Sequence, residues 1–319
     1  MLAPEIGGKR AWVQGTISAS DWMVPFPPVA VDELEQALRT LRRDPLPLLL
    51  LSPAQFALSA CAAVMTAVGH KLRRGVGLAV IDRIPVERFS LDENRTLYWL
   101  LGSLLGRPVA QKWDGTMIYD VRDTGKTLEY GVRRSVTNLE LQSHTDAPWL
   151  DLPPEQVGLY CLHPAREGGV SQVVSLAMVH NELRRQHPGL LSRLYHPFPW
   201  DRQAEHAPGD DTVAWQPVFR SDGRDLVGCY NEALIANAEA LTDTPLDREG
   251  REALAAMRAI VDAPERRVEF TLEKGQIQYL DNRSVAHSRS AFKDAEEPHL
   301  RRHMIRLWNR NEGRQTFHG

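Results

Sequence analysis

The tripeptide His144-Thr145-Asp146 carries the first chemical signal in the chain. On an extended segment, residues two apart point to one face, so the imidazole and the carboxylate can converge on a single metal ion. His180-Asn181-Glu182 repeats the spacing inside a helical pattern, where two positions lie about 200° apart around the axis and the side chains diverge. With 11 histidines, a His two residues before an acid is expected about once by chance. His144-Thr145-Asp146 taken alone therefore also fits an ordinary turn in which Asp146 bonds local backbone. A third donor is available in His287, at a loop position after the strand pattern Ile277 to Leu280 and the turn-prone Asp281-Asn282-Arg283. Two histidines and one carboxylate make the facial triad that suits non-haem Fe(II) and leaves three octahedral positions open. A zinc hydrolase using the same ligands is the rival, with Glu140 as the nearby candidate base. A third reading is a non-catalytic protein that binds a small anion.

Arg301-Arg302-His303-Met304-Ile305-Arg306 is the second signal. As a strand it puts Arg302, Met304, Arg306 and Trp308 on one face and His303, Ile305 and Leu307 on the other. Arg302 and Arg306 would then be separated by about 13 Å, enough to hold two different carboxylates if that face is interior. On an edge strand they would simply be solvated. Trp113, Trp149 and Trp200 are candidates for a pocket wall or for plain packing. Cys161 sits in an apolar pattern and reads as core. Gly168-Gly169 lacks the lysine and following helix of a phosphate-binding loop.

These residues need a scaffold, and the chain is long enough to supply one. Its 319 residues are 43% hydrophobic and 25% charged, which is globular composition and not that of a disordered or coiled-coil chain. The balance of 38 Lys+Arg against 41 Asp+Glu gives a net charge of −3, so no global field draws it to nucleic acid or to anionic lipid. The longest apolar run, Leu46 to Leu51, is interrupted by Pro47 and too short to span a bilayer, and no secretory signal pattern opens the chain. Three cysteines without a close pair, Cys61, Cys161 and Cys229, suggest neither a disulfide framework nor a cysteine zinc site, so a reducing, cytoplasmic compartment is expected.

Residues 1–108 read as a mostly helical flank. Helices are expected over Val31 to Arg43, from the Ser52-Pro53 cap to about His70, and from the capping box Ser90-Leu91-Asp92-Glu93 to Gly106, with a strand over Gly75 to Ile84. Residues 109–319 read as a β core: Met117 to Val121, Val157 to Leu162, Val170 to Ser175, Val213 to Phe219, Leu226 to Tyr230, Val268 to Leu272, Ile277 to Tyr279 and His303 to Asn309. Helices over Ser175 to Gln186 and from Thr244-Pro245 to Asp262 interrupt it. The pattern is mainly β with flanking helices, in one domain spanning 1–319.

His144-Thr145-Asp146, Pro153-Pro154, Val157-Gly158-Leu159-Tyr160-Cys161-Leu162-His163-Pro164-Ala165 and Gly168-Gly169 stand in one order with Ser171 to Glu182, Asp281 to His287 and Arg301 to Trp308. In these blocks the chain resembles the taurine dioxygenase-like (TauD/TfdA) family of Fe(II)/2-oxoglutarate oxygenases, from about Thr96 onward. The resemblance implies a double-stranded β-helix, or jelly roll, of the clavaminate synthase-like kind, with iron held by His144, Asp146 and His287. It also implies that Ser171 and Arg302 hold the far carboxylate of 2-oxoglutarate, and that Arg306 contacts either the substrate or the near end of 2-oxoglutarate. Where relatives have an asparagine this chain has Glu140, which would repel a sulfonate and favour an amine. The implied reaction consumes O2 and 2-oxoglutarate, releases succinate and CO2, and oxidises an unactivated C–H bond, with hydroxylation expected. The carboxylate of Asp146 disfavours halogenation. Trp149 and the mixed charges of 113–136 and 200–230 suggest a small zwitterionic, amino-acid-like substrate. A homo-oligomer is left open.

Overall fold

The structure, a computed structural model, describes residues 3–319 except 128, 130 and 222–224, so two positions of the expected pocket segment 113–136 and three of 200–230 lie outside the description. Two sheets build the core. The larger runs Met23–Pro25, Leu78–Asp82, Ile277–Asp281, Gln156–His163, His303–Asn309, Pro108–Val109, with Ile118–Val121 also paired to His303–Asn309. The smaller runs Arg267–Phe270, Ser171–Ser175, Val285–Arg289, Leu141–His144. Every pairing in these two sheets is antiparallel except Met23–Pro25 with Leu78–Asp82.

Strand alternation decides what each face touches. In the terminal strand His303–Asn309, Ile305 and Leu307 join Ile277, Tyr279 and Tyr160 under the helices Pro28–Arg43, Ser59–Arg74 and Leu91–Leu105. Met304 instead packs with Cys161 and Leu280 of its own sheet and with Val173, Val268 and Val285 of the smaller one. The jelly-roll interior therefore lies between the sheets, and Arg302, Arg306 and Trp308 are on its side. The N-terminal residues are more than a flank, because Met23–Pro25 and Leu78–Asp82 are strands of the larger sheet.

Most expected elements form where their patterns place them. The Ser90 box closes as read, with Ser90 Oγ accepting from Glu93 N at 3.2 Å and Glu93 Oε2 accepting from Ser90 N at 2.9 Å. Ser52-Pro53 caps only the 3-10 turn Pro53–Gln55. The following helix begins at Ser59, where the carboxylate of Glu33 accepts from Ala60 N and Cys61 N, both at 2.9 Å. A cap borrowed from a neighbouring helix leaves no local signature. Asp247 caps Arg248–Val261 from outside the helix, so the Thr244-Pro245 start was three residues early. Three helices, Ala19–Trp22, Pro188–Leu194 and Glu232–Thr242, were not anticipated. No helix among the described residues is long and apolar enough to cross a membrane.

Candidate active site

The two histidines face each other across a strand pair. His144 ends Leu141–His144 and stands in register with His287 of Val285–Arg289, their ring centres 4.2 Å apart. His287 is thus inside a strand and not in the expected loop: after a short turn at 281–284 the chain re-enters the smaller sheet, where Val173 flanks His287 on the other side. Directly paired residues share a face, so both imidazoles point between the sheets.

Asp146 lies beyond the strand end and is oriented through its backbone. Thr145 N donates to Tyr230 O at 2.6 Å, and Thr145 Oγ1 accepts from Tyr230 N at 3.0 Å. Buried Asn282 accepts from Asp146 N at 2.7 Å and donates to Asp146 O at 3.0 Å and Pro154 O at 3.1 Å. Ala147 then turns the chain away at φ 49°, a left-handed conformation costing a non-glycine residue about 1–2 kcal/mol. The result brings ligand atoms of His144, Asp146 and His287 within 4.8 Å of one another, all three residues buried.

The electrostatics match a metal-binding donor set. His144 Nδ1 sits 2.8 Å from Gln142 O, which fits a proton on Nδ1 and a lone pair on Nε2, 3.3 Å from Asp146 Oδ1. Burial and the neighbouring His144 push His287 down to about 3, with Asp146 opposing, so its imidazole is neutral. His287 Nδ1 is buried and has no hydrogen-bond partner. Burial works against ionising Asp146, but the charge of Arg306 outweighs it and holds the carboxyl well below the usual range. Its Oδ2 accepts from Trp308 Nε1 at 2.8 Å and Arg306 Nη1 at 3.3 Å.

All three residues line a cavity of about 470 Å³, together with Ser171, Arg289 and Arg302. Arg302 is 4% exposed. Its Nε and Nη1 have no partner, and burial lowers it to about 10. A buried guanidinium with free N–H groups fits an absent anion, and half-buried Ser171 stands on the same wall. Gly168 supports this wall: at φ +74° a Cβ there would meet Ala291 O at 2.2 Å, so only glycine lets Glu167–Gly168 pair with Phe292–Lys293.

The remaining expectations divide. Arg306 is at the site, but its near partners are Asp146 and Gln111, whose Oε1 accepts from Arg306 Nε at 2.7 Å; Nη2 is unpartnered. Trp149 lines the cavity, Trp200 is in the core, and Trp113 is exposed. Glu140 is exposed and does not line the cavity, so the structure does not bring it to the site. The cause is a bulge: His287 pairs with His144 but Arg289 with Leu141, three residues against two, which breaks the alternation that would have put residue 140 on His144's face. His180 and Glu182 are occupied elsewhere, by Tyr195 and Arg266. Of the loop charges, Arg133 lines the cavity paired to Glu205 at 2.5 Å. Asp120 is held by Arg95 and His303.

Several wall residues escaped the sequence reading. Arg289, two positions after His287, has the same facing and is lowered to about 9 by burial and by Arg302. Its Nη2 donates to Thr137 O and Leu139 O. Asn231, Leu234 and Asn237 come from the unanticipated helix Glu232–Thr242 and its cap. Trp308 had the right facing on the terminal strand but was not read as a donor to Asp146.

A jelly roll with two histidines and a carboxylate at the mouth of its interior defines a class of non-haem iron oxygenases. Comparison with protein families bears this out: residues 46–308 match the family described as "Taurine catabolism dioxygenase TauD, TfdA family". The chain belongs to that family and is an Fe(II)- and 2-oxoglutarate-dependent dioxygenase. The match begins some fifty residues before the resemblance read from motifs. Among characterised relatives, FR-33289 synthase of Streptomyces rubellomurinus (strain ATCC 31215) is 27% identical over 99% of this chain and 93% of its own length. Gamma-butyrobetaine dioxygenase of Pseudomonas sp. (strain AK-1) is 28% identical over 71% of this chain and 62% of its own. Among solved structures, asparagine oxygenase in complex with Fe(II), 2S,3S-3-hydroxyasparagine and succinate superposes with a TM-score of 0.67 at 18% identity, covering 90% of this chain and 93% of that one. The non-heme iron oxygenase OrfP in complex with Fe, succinate and (3S)-hydroxy-L-Arg gives 0.69 at 15% identity, covering 91% and 94%. These two likenesses concern the fold.

Proposed function

We propose that His144, Asp146 and His287 hold the iron, that Ser171 and Arg302 hold the far carboxylate of 2-oxoglutarate, and that the whole chain acts as one catalytic domain hydroxylating a small amino-acid-like substrate. The observation that carries the reading is the meeting, in one cavity, of three buried ligands with a buried arginine whose N–H groups lack an anion. With iron, 2-oxoglutarate and O2 bound, such a site supplies an oxidant strong enough for an unactivated C–H bond and releases succinate and CO2. The chain's own residues do the positioning. Trp308 and Arg306 fix Asp146 on one oxygen, leaving the other toward the histidines, while Gln142 O sets the tautomer of His144. The apolar surfaces of Trp149, Val157 and Leu159 limit water in the cavity. An amino-acid-like substrate is supported by the hydroxylated asparagine and arginine named with the two superposed structures. A zinc hydrolase would need a base near the metal, and Glu140 is exposed outside the cavity.

The test is anaerobic. Purified protein with Fe(II) and 2-oxoglutarate is expected to show the visible charge-transfer band of a chelated complex, absent in His144→Ala and weakened in Arg302→Ala. Admitting O2 with a substrate should then give succinate. Folded, iron-loaded protein with neither band nor succinate overturns the assignment.

A further inference from the structure

Of the charges on the cavity wall, Glu129 is exposed and half-buried Arg134 donates to Glu140 O; among the buried ones, a single acid is left without a cationic partner. Arg306 faces Asp146, and Arg133 faces Glu205. Arg302 awaits the cosubstrate, and Arg289 is tied to backbone carbonyls. Asp201, the last residue of the strand Pro197–Asp201, lines the same cavity and is 2% exposed. Its Oδ1 accepts from Gln203 N at 2.8 Å and its Oδ2 from Asn237 Nδ2 at 3.2 Å. Both donors are neutral, and among the described residues no cationic side chain pairs with it. The adjacent Arg202 points elsewhere, to Asp211 O at 2.8 Å and Asp210 at 3.9 Å.

A carboxylate offers about four acceptor sites, of which two are used here. A buried charge without a counter-ion is unfavourable until something opposite in charge fills the space beside it. Building on the active-site reading above, we infer that Asp201 is the subsite for a protonated nitrogen of the substrate, an ammonium or a guanidinium. Gln203 and Asn237 hold the carboxylate in place from either side, and Asn231 and Asn237 add amide groups to the same wall. A cation with several N–H donors satisfies that wall, whereas an anion there would be repelled. Asp201 thus takes the specificity role that the sequence reading gave to Glu140.

The probes are the twenty proteinogenic L-amino acids and the N-acetyl form of any that acts, assayed with wild type, Asp201→Asn and Asn237→Ala. Each is read by perturbation of the anaerobic Fe(II)·2-oxoglutarate band and by succinate formation in air. In wild type, free amino acids should perturb the band and accelerate succinate formation. Acetylation of the nitrogen that Asp201 holds should lower kcat/KM by about 10- to 100-fold, the loss expected for one charge-assisted hydrogen bond. Asp201→Asn should show the same loss toward the free amine, mainly in KM, while still forming the band. Asn237→Ala removes the tie to the helix but not the charge, so it should keep the preference for the free amine. If no free amine perturbs the wild-type band, or if Asp201→Asn binds the active probe as well as wild type does, the inference is overturned. Absence of the band itself in wild type would overturn the iron-site reading beneath it, a distinct outcome.

Discussion

Replacing Arg302 with Met should raise the stability of the free protein and remove most of its stabilisation by 2-oxoglutarate. Burial brings the guanidinium down to about 10, which corresponds to about 3 kcal/mol against the charged form in the folded state. The sign follows from the group being a cation with a lowered folded-state value: the penalty is complete at neutral pH and fades only above about 10. Unpartnered Nε and Nη1 give a second measure of the same desolvation cost, about 1–3 kcal/mol for each buried donor left unmet. Met keeps most of the stem's volume and loses the guanidinium contact with Phe292, 5.1 Å away, worth about 1–2 kcal/mol where desolvated. The net expectation is a gain of about 1–2 kcal/mol, or about 1.5–3 °C in Tm for a chain of this size. With Fe(II) present in every melt, 2-oxoglutarate at a hundred times its wild-type Kd should add about 2.7 kcal/mol to wild type and far less to the variant, so the order of the two melting curves reverses. Anaerobic thermal melts with and without 2-oxoglutarate are sufficient. A variant melting several degrees below wild type without 2-oxoglutarate, or one still stabilised fully by 2-oxoglutarate, would refute the view of Arg302 as an anion hole kept open at the expense of stability.

Two further outcomes follow from the same geometry. Trp308→Phe keeps a ring beside Phe317 but removes the 2.8 Å donor to Asp146; apparent Fe(II) affinity, read from succinate formation in an iron titration, should fall by about 10- to 100-fold, and an unchanged affinity would count against that hydrogen bond. Burial pushes the Cys61 and Cys161 thiols up to about 12, so the native protein should resist an aromatic disulfide reagent at neutral pH and release all three thiols only when unfolded; rapid labelling of the native state would contradict their burial.

Alternation along a single strand made part of the site legible. The facing of Arg306 and Trp308 follows from alternation in the terminal strand, whereas Arg302 stands just before that strand, next to the register shift at His303 and Met304, and Asp146 just after the strand that His144 ends. Two other residues were misplaced by departures from a regular strand pattern. Glu140 lies four residues before His144 and would share its face in a regular strand, but the bulge opposite His287 and Arg289 removes it. His287 was placed in a loop because Asp281-Asn282-Arg283 reads as a long turn; the turn is short, and had Val285–Arg289 been read as a strand, Arg289 would have fallen on the same face as His287. The helix Glu232–Thr242 has apolar residues on every side and no stripe to announce it, although its cap Asn231 accepts from Leu234 N at 3.3 Å. That helix supplies the Asn237 contact to Asp201, so the substrate end of the cavity was hidden with it.

The triad also draws on both sheets at once, which no local pattern can express. His144 and His287 belong to the smaller sheet, while the donors that fix Asp146 come from Arg306 and Trp308 of the larger. Asp146 itself hangs on Asn282, in the turn where the chain passes from Ile277–Asp281 of the larger sheet to Val285–Arg289 of the smaller. The spacing between the sheets therefore enters the ligand geometry directly, and the apolar contacts that set the spacing, Val173 and Val285 against Met304 and Leu280, are part of the site's support. A close-packed interior transmits a volume change instead of absorbing it. Thinning this layer should move the histidines relative to the carboxylate and weaken metal binding from residues that touch no ligand, whereas a cavity made under the outer helices, at Leu34 or Leu38, has no comparable path to the triad.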